Sequence, residues 1–165
     1  MAGEQLWGGE ARVTIAAPPA AVWAYVSDVT RVGQWSPECL RGTYLDGATE
    51  AAEGVRFRGA NRRGAVRWFT NCTVVRFEAE RAIAWEVHPP YGGARTARWT
   101  YELQPVEGGT EVVEHFEVYR STILTRIGWV LMGGKQNRRE MLQRSVGESL
   151  NKLKTLVESQ PVAAG

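Results

Sequence analysis

Cysteine is scarce in this chain of 165 residues, with Cys39 and Cys72 alone. Two cysteines cannot build the disulfide framework of a small secreted scaffold, and neither sits in a CxxC or His-rich spacing that would suggest a metal. Histidine is equally rare. His88 and His115 fall on predicted outward strand faces, each alone, without a Ser, Cys or Asp partner at recognisable catalytic spacing. Long apolar runs are missing too: the richest window, residues 123–134, contains Thr125 and Arg126 and is far short of the roughly 20 residues a membrane helix needs. The N-terminal MAGEQLWGGEARV lacks a basic stretch followed by an apolar one, so it does not read as a signal peptide. A net charge of +2 is too small to argue for nucleic acid. Lysine is nearly absent, three against seventeen arginines, but the arginines are spread along the whole chain. The densest run, RFRGANRRGAVR (56–67), reads as a solvated face and hairpin tip rather than a phosphate-contacting ribbon. The expectation is a soluble cytoplasmic protein with no metal, no cofactor, no nucleic-acid partner and no integral membrane contact.

What is present is aromatic. Seven Trp, five Tyr and four Phe occur, and VWAYVSDVTRVGQWSPE (22–38) packs Trp23, Tyr25 and Trp35 into one short segment that halts at Pro37. Each such ring removes on the order of 150–250 Å² from water when buried, so a core or a cavity must receive them.

Side-chain alternation dominates residues 11–119. Val13 and Ile15 oppose Arg12 and Thr14 in a half-buried strand, 11–16. Pro18 and Pro19 open a helix whose buried stripe is Val22, Val26 and Val29, and a second short helix or turn carries Trp35 to Pro37. Strands are predicted near 40–46, 54–62, 65–77, 81–88, 95–105 and 110–119. Asp46-Gly47, Arg63-Gly64, Glu80-Arg81, Gly92-Gly93 and Gly108-Gly109 punctuate them as hairpin turns, so sequence neighbours should pair antiparallel. Beyond Tyr119 the period changes: Ile123, Ile127, Val130 and Leu131 form a stripe that breaks at Gly133-Gly134. Leu142, Val146, Leu150, Leu153 and Val157 then define a long amphipathic helix, roughly 135–158. The class is α+β: two short helices after strand 1, and a curved seven-stranded antiparallel sheet wrapped around the C-terminal helix. One domain is expected, its core at about 10–158.

The segment VTIAAPPAAVWAYVSDVTRVGQWSPE (13–38), the turn Leu45-Asp46-Gly47, the strand end Tyr101-Glu102-Leu103-Gln104-Pro105 and the start Gly108-Gly109-Thr110 resemble the START-like polyketide cyclase/dehydrase and lipid-transport superfamily (SRPBCC). The resemblance implies a helix-grip fold with a hydrophobic cavity between sheet and helix. It implies no catalytic residue, because members differ in what they bind and whether they react with it.

Strand parity proposes the cavity wall. Trp99, Tyr101 and Leu103 share an inward face, as do Ile83, Trp85 and Val87, and Phe57 with Asn61. Trp68, Thr70, Cys72 and Val74 form the inner set of the next strand, though Phe69 and Phe77 demand a bulge or twist. On the last strand, Val112, Glu114, Phe116 and Val118 turn inward together. A carboxylate in an apolar shell must be paired, hydrated or protonated, so Glu114 is the candidate functional acid, or else a structural acceptor. Asn61 is the second inward polar group, or a solvated residue at a hairpin end. Trp35 sits at the helix-to-strand corner, and Ile127, Leu131 and Met132 are placed at the cavity entrance, on a segment that moves when ligand enters. Together Trp35, Phe57, Asn61, Trp68, Trp85, Trp99, Tyr101, Glu114, Phe116, Ile127, Leu131 and Met132 are the predicted ligand-binding set.

The function expected is binding of a hydrophobic, aromatic or lipid-like small molecule in an internal cavity. The alternatives are a polyketide cyclase or dehydratase with Glu114 as acid or base, and a regulatory or chaperone-like interaction protein. One acid and one amide are few polar groups for an active site, which favours binding over catalysis.

Overall fold

The computed structural model of the chain describes residues 4–119, 127, 130 and 134–161. Strand β1 (Gln5–Ile15) leads into helix α1 (Pro19–Val26) and a 3₁₀ helix (Val29–Gln34). Six strands follow: β2 (Cys39–Tyr44), β3 (Arg56–Arg63), β4 (Val66–Glu78), β5 (Ala82–His88), β6 (Ala97–Val106) and β7 (Gly109–Tyr119). The long helix α2 (Gly134–Glu158) ends the order. The seven strands make one sheet, ordered β1-β7-β6-β5-β4-β3-β2, every pair antiparallel. Each of β2 to β7 pairs with its sequence neighbours, as short connections require, and β1 closes onto β7.

The sheet curls around α2. Leu150, Leu153 and Val157 join the larger core with Ile15, Val22, Ile83 and Leu103, while Leu142 and Val146 join a second cluster with Trp7, Phe116 and Val118. All five predicted α2 core residues are at least nine-tenths buried. Burial alternates strictly along β7 from Thr110 to Val118, so the inward parity of Glu114 is real.

Two strands differ from the expectation. β1 starts at Gln5, not at residue 11. Its first half holds Gly8 and Gly9, which carry no side chain and so erase the alternation on which the prediction relied. A Cβ on Gly9 would sit 2.8 Å from the Phe116 ring and 2.0 Å from the Gln143 side chain of α2, so the bare backbone is what lets the three approach. In β4 the register shifts between Val74 and Arg76. That irregularity returns Phe77 to the inner side, opposite Ile83 and edge-on to Trp23, whereas Phe69 stays more than half exposed. Both aromatics are thereby accounted for.

The 3₁₀ helix lies against β2 with almost no clearance. A Cβ on Gly42 would come 2.3 Å from the Val29 carbonyl oxygen, and one on Gly33 would come 1.8 Å from that of Leu40. This contact fixes the corner from which Trp35 enters the interior. Asp28 caps the 3₁₀ helix, its carboxylate accepting from the Thr30 N–H at 3.0 Å.

His115 is not the isolated residue that its sequence context implies. On the outer sheet face its Nδ1 is 3.0 Å from Glu10 of β1, the residue directly opposite, and its Nε2 is 3.3 Å from Glu102 of β6. Arg76 reaches Glu102 at 2.7 Å across the small outward Ala82 and Ala84 of β5. These partners arrive from other strands, so sequence spacing does not reveal them. His88 likewise has company: its Nδ1 lies 3.1 Å from the Gly93 carbonyl oxygen.

Candidate functional site

Between the sheet and α2 lies a cavity of about 470 Å³. That is within the roughly 300–1,000 Å³ of small-molecule sites. Its wall draws inward strand residues from β3 to β7, the segment from Val26 to Cys39 with Trp35, and Leu142, Ser145 and Ser149 from α2.

Nine of the predicted residues meet here: Trp35, Phe57, Asn61, Trp68 and Trp85, with Trp99, Tyr101, Glu114 and Phe116. Five of their rings touch one another. Trp85 tilts over Tyr101 at 5.7 Å and meets Phe57 edge-on at 5.8 Å, while Trp99 lies 5.6 Å from Phe116. The rings hold one another in place and still leave a void. Ile127 is more than half exposed. Leu131 and Met132, and most of the segment 121–134 expected at the entrance, lie outside the described residues.

One end of the cavity carries a buried polar chain. Trp35 Nε1 donates to the Tyr101 hydroxyl at 3.3 Å, and that hydroxyl donates to Glu114 Oε1 at 2.7 Å. Register makes the second bond, since Tyr101 stands directly opposite Glu114 across β6 and β7. On its other side Glu114 faces Ala11, too small to crowd or pair with it. Burial in this apolar shell pushes the Glu114 carboxyl up to about 7, opposed in part by Tyr101 and then by the hydroxyl of Ser149. The Tyr101 phenol is raised well above its ordinary value, first by burial and then by the adjoining carboxylate.

At the opposite end, Asn61 is half-buried and donates to Thr70 Oγ1 at 3.3 Å, so it is tied to the wall rather than loose at a hairpin tip. Thr70 in turn contacts the Cys72 thiol at 3.9 Å. Burial raises the Cys39 thiol to about 11 and that of Cys72 to about 12. Burial thus disfavours the reactive thiolate of both at neutral pH.

Sequence reasoning missed Trp7, Ser149 and the pair Glu38–Arg138. Trp7 lay in a stretch without alternation. Ser149 is a small polar residue within the apolar stripe of α2, an irregularity that was visible and carried the signal. Glu38 and Arg138 meet through two hydrogen bonds of 2.8 Å at the cavity wall, a pairing no local pattern encodes. Among the described residues, no group of three or more His, Cys, Asp or Glu could hold a metal ion, and no helix is long and apolar enough to cross a membrane.

The sheet order, the enclosed helix and the cavity between them agree with the sequence match. A family model described as polyketide cyclase / dehydrase and lipid transport covers residues 8–158. The chain belongs to this family. No curated protein sequence matches it. Among solved structures, Zhui aromatase/cyclase from Streptomyces sp. R1128 superposes with a TM-score of 0.68 at 20% identity, over 96% of this chain and 98% of that one. The di-domain ARO/CYC StfQ of the steffimycin biosynthetic pathway gives 0.67 at 12% identity, over 92% of this chain and 50% of its own. The Polyketide_cyc-like protein Cgl2372 from Corynebacterium glutamicum gives 0.54 at 27% identity, over 92% and 89%. The first two likenesses concern the fold alone.

Proposed function

We propose that the protein binds a hydrophobic, aromatic small molecule inside the helix-grip cavity. The observation that carries this reading is a void of about 470 Å³ walled by Trp68, Trp85, Trp99 and Phe57 and closed at one end by a buried carboxyl. Broad flat rings on a largely pre-formed wall suit a planar ligand, because dispersion and apolar burial accrue without reordering the protein. Glu38 and Arg138 are engaged with each other and Asn61 with Thr70, which leaves Glu114 as the wall's acid best placed to orient a ligand.

A second reading is cyclase-type catalysis, as in the aromatase/cyclases that share the fold. One observation favours it. A carboxyl titrating near 7 can exchange a proton at physiological pH, as a general acid or base must.

Titration of the protein with planar aromatic compounds, followed through tryptophan emission, tests the binding reading. Saturable quenching that is lost in Trp85→Ala or Trp99→Ala is expected. Linear, non-saturating quenching by every ring system tried would remove it. Conversion of a bound poly-ketone to a cyclised product, abolished in Glu114→Gln, would move the assignment to the second reading.

A further inference from the structure

Two polar atoms in the cavity wall make no hydrogen bond of normal geometry. Among the described residues, Glu114 Oε2 and Ser149 Oγ are buried and neither has a hydrogen-bond partner, although both residues are only 3% exposed. Glu114 Oε1 is already engaged by Tyr101, so the carboxylate is locked in orientation with its second oxygen free. Ser149 comes from the facing helix, and its hydroxyl is near enough to favour the ionised forms of both Glu114 and Tyr101, yet no bond of normal geometry joins it to either. Leaving a buried acceptor unsatisfied costs about 1–3 kcal/mol, so each atom calls for a partner, which inside a cavity a water or a ligand group can supply.

We propose that Glu114 Oε2 and Ser149 Oγ form the recognition point for a hydroxyl group carried on the ligand's aromatic ring. The ligand hydroxyl donates to Oε2, and its oxygen accepts from the Ser149 hydroxyl. This deepens the binding reading above and rests on it. The chemistry is selective in three ways. A ring bearing only alkyl groups leaves both atoms unsatisfied. A ligand carboxylate meets the like charge of Glu114. A ligand carbonyl has no proton to offer Oε2. A site built around a hydrogen bond to a hydroxyl rejects an analogue lacking it more strongly than an apolar pocket rejects one of the wrong size. Ser149 is thus a specificity residue, on the helix that otherwise supplies only packing to this part of the core.

The test uses the full chain and three probes of one ring system: 2-naphthol, 2-methylnaphthalene as its match in size, and 2-acetylnaphthalene as a carbonyl acceptor. Affinities are read from tryptophan quenching, buffered above the Glu114 pKa of about 7. The wild type should bind 2-naphthol about tenfold tighter than 2-methylnaphthalene or more. Ser149→Ala should reduce that ratio. Glu114→Gln presents an amide N–H where Oε2 stood, so it should abolish the preference for 2-naphthol and improve 2-acetylnaphthalene. Thermal melts of each variant report whether it folds, and the wild-type ratio stands without them. Equal affinity for the hydroxyl and methyl probes in the wild type would overturn the assignment while sparing the aromatic cavity, since water would then occupy the point. Tighter wild-type binding of the acetyl probe would overturn it too, by making Glu114 the donor. If none of the three binds, the cavity reading falls and this one with it.

Discussion

Arg138, near the start of α2, grips Glu38, the residue just before β2, through two parallel hydrogen bonds of 2.8 Å. Both side chains are mostly buried, and both belong to the cavity wall. The pair fastens the N-terminal end of the long helix to the corner that follows Trp35, so the helix is anchored by charge there and by apolar packing further on. A planar fork onto a carboxylate is geometry that lysine cannot reproduce.

Arg138→Ala should therefore lower unfolding stability by about 1.5–3 kcal/mol, the range for hydrogen bonds to charged groups. Arg138→Lys should recover only part of it. Denaturant unfolding measures both, and a loss under half a kcal/mol in the alanine variant would show that the fork contributes little.

Glu114 makes stability depend on pH in an unusual direction. Its carboxyl is raised from 4.5 to about 7 by burial. A raised acid favours the fold fully below its unfolded value, and that contribution is lost as pH rises through the folded value. Between 4.5 and 7 the wild type should lose on the order of 3 kcal/mol relative to Glu114→Gln, which does not titrate. The difference between the two proteins isolates this group from Glu10, Glu78, Glu102 and Glu158, whose carboxyls are lowered. Parallel pH profiles would mean that Glu114 reaches water.

Leu150 is 1% exposed at the centre of the larger core. Leu150→Ala should cost about 2–5 kcal/mol, from lost transfer energy and the hole left behind. Chemical denaturation supplies the number, and a cost below half a kcal/mol would reject the helix's place in the core.

Gly42→Ala should act on the site from outside it. Its new methyl group would meet the Val29 carbonyl oxygen at 2.3 Å, so the 3₁₀ helix has to lift from β2. Overpacking of this kind costs typically about 1–3 kcal/mol, and here it should also shift the emission of Trp35, fully buried in the parent. An unchanged melt and spectrum would mean that the corner has slack.

Glu38 and Arg138 are a hundred residues apart in sequence, and nothing local announces that they meet. The same holds for His115 between Glu10 and Glu102, and for the free atoms of Glu114 and Ser149. In contrast, the antiparallel pairing of sequence neighbours, the α2 stripe and the inward set Trp85, Trp99, Tyr101, Glu114 and Phe116 are legible, since turn signals, period and parity are properties of successive residues. Where side chains vanish, as at Gly8 and Gly9, that signal vanishes and the strand was read too short. Alternation says which face a residue occupies. Register, set by every turn and bulge along the sheet, says which residue stands opposite, and so Tyr101 finds Glu114. Whether inward rings fill their space or leave a cavity depends on the distance between sheet and helix, a quantity that belongs to the whole packed molecule and to no segment of the chain.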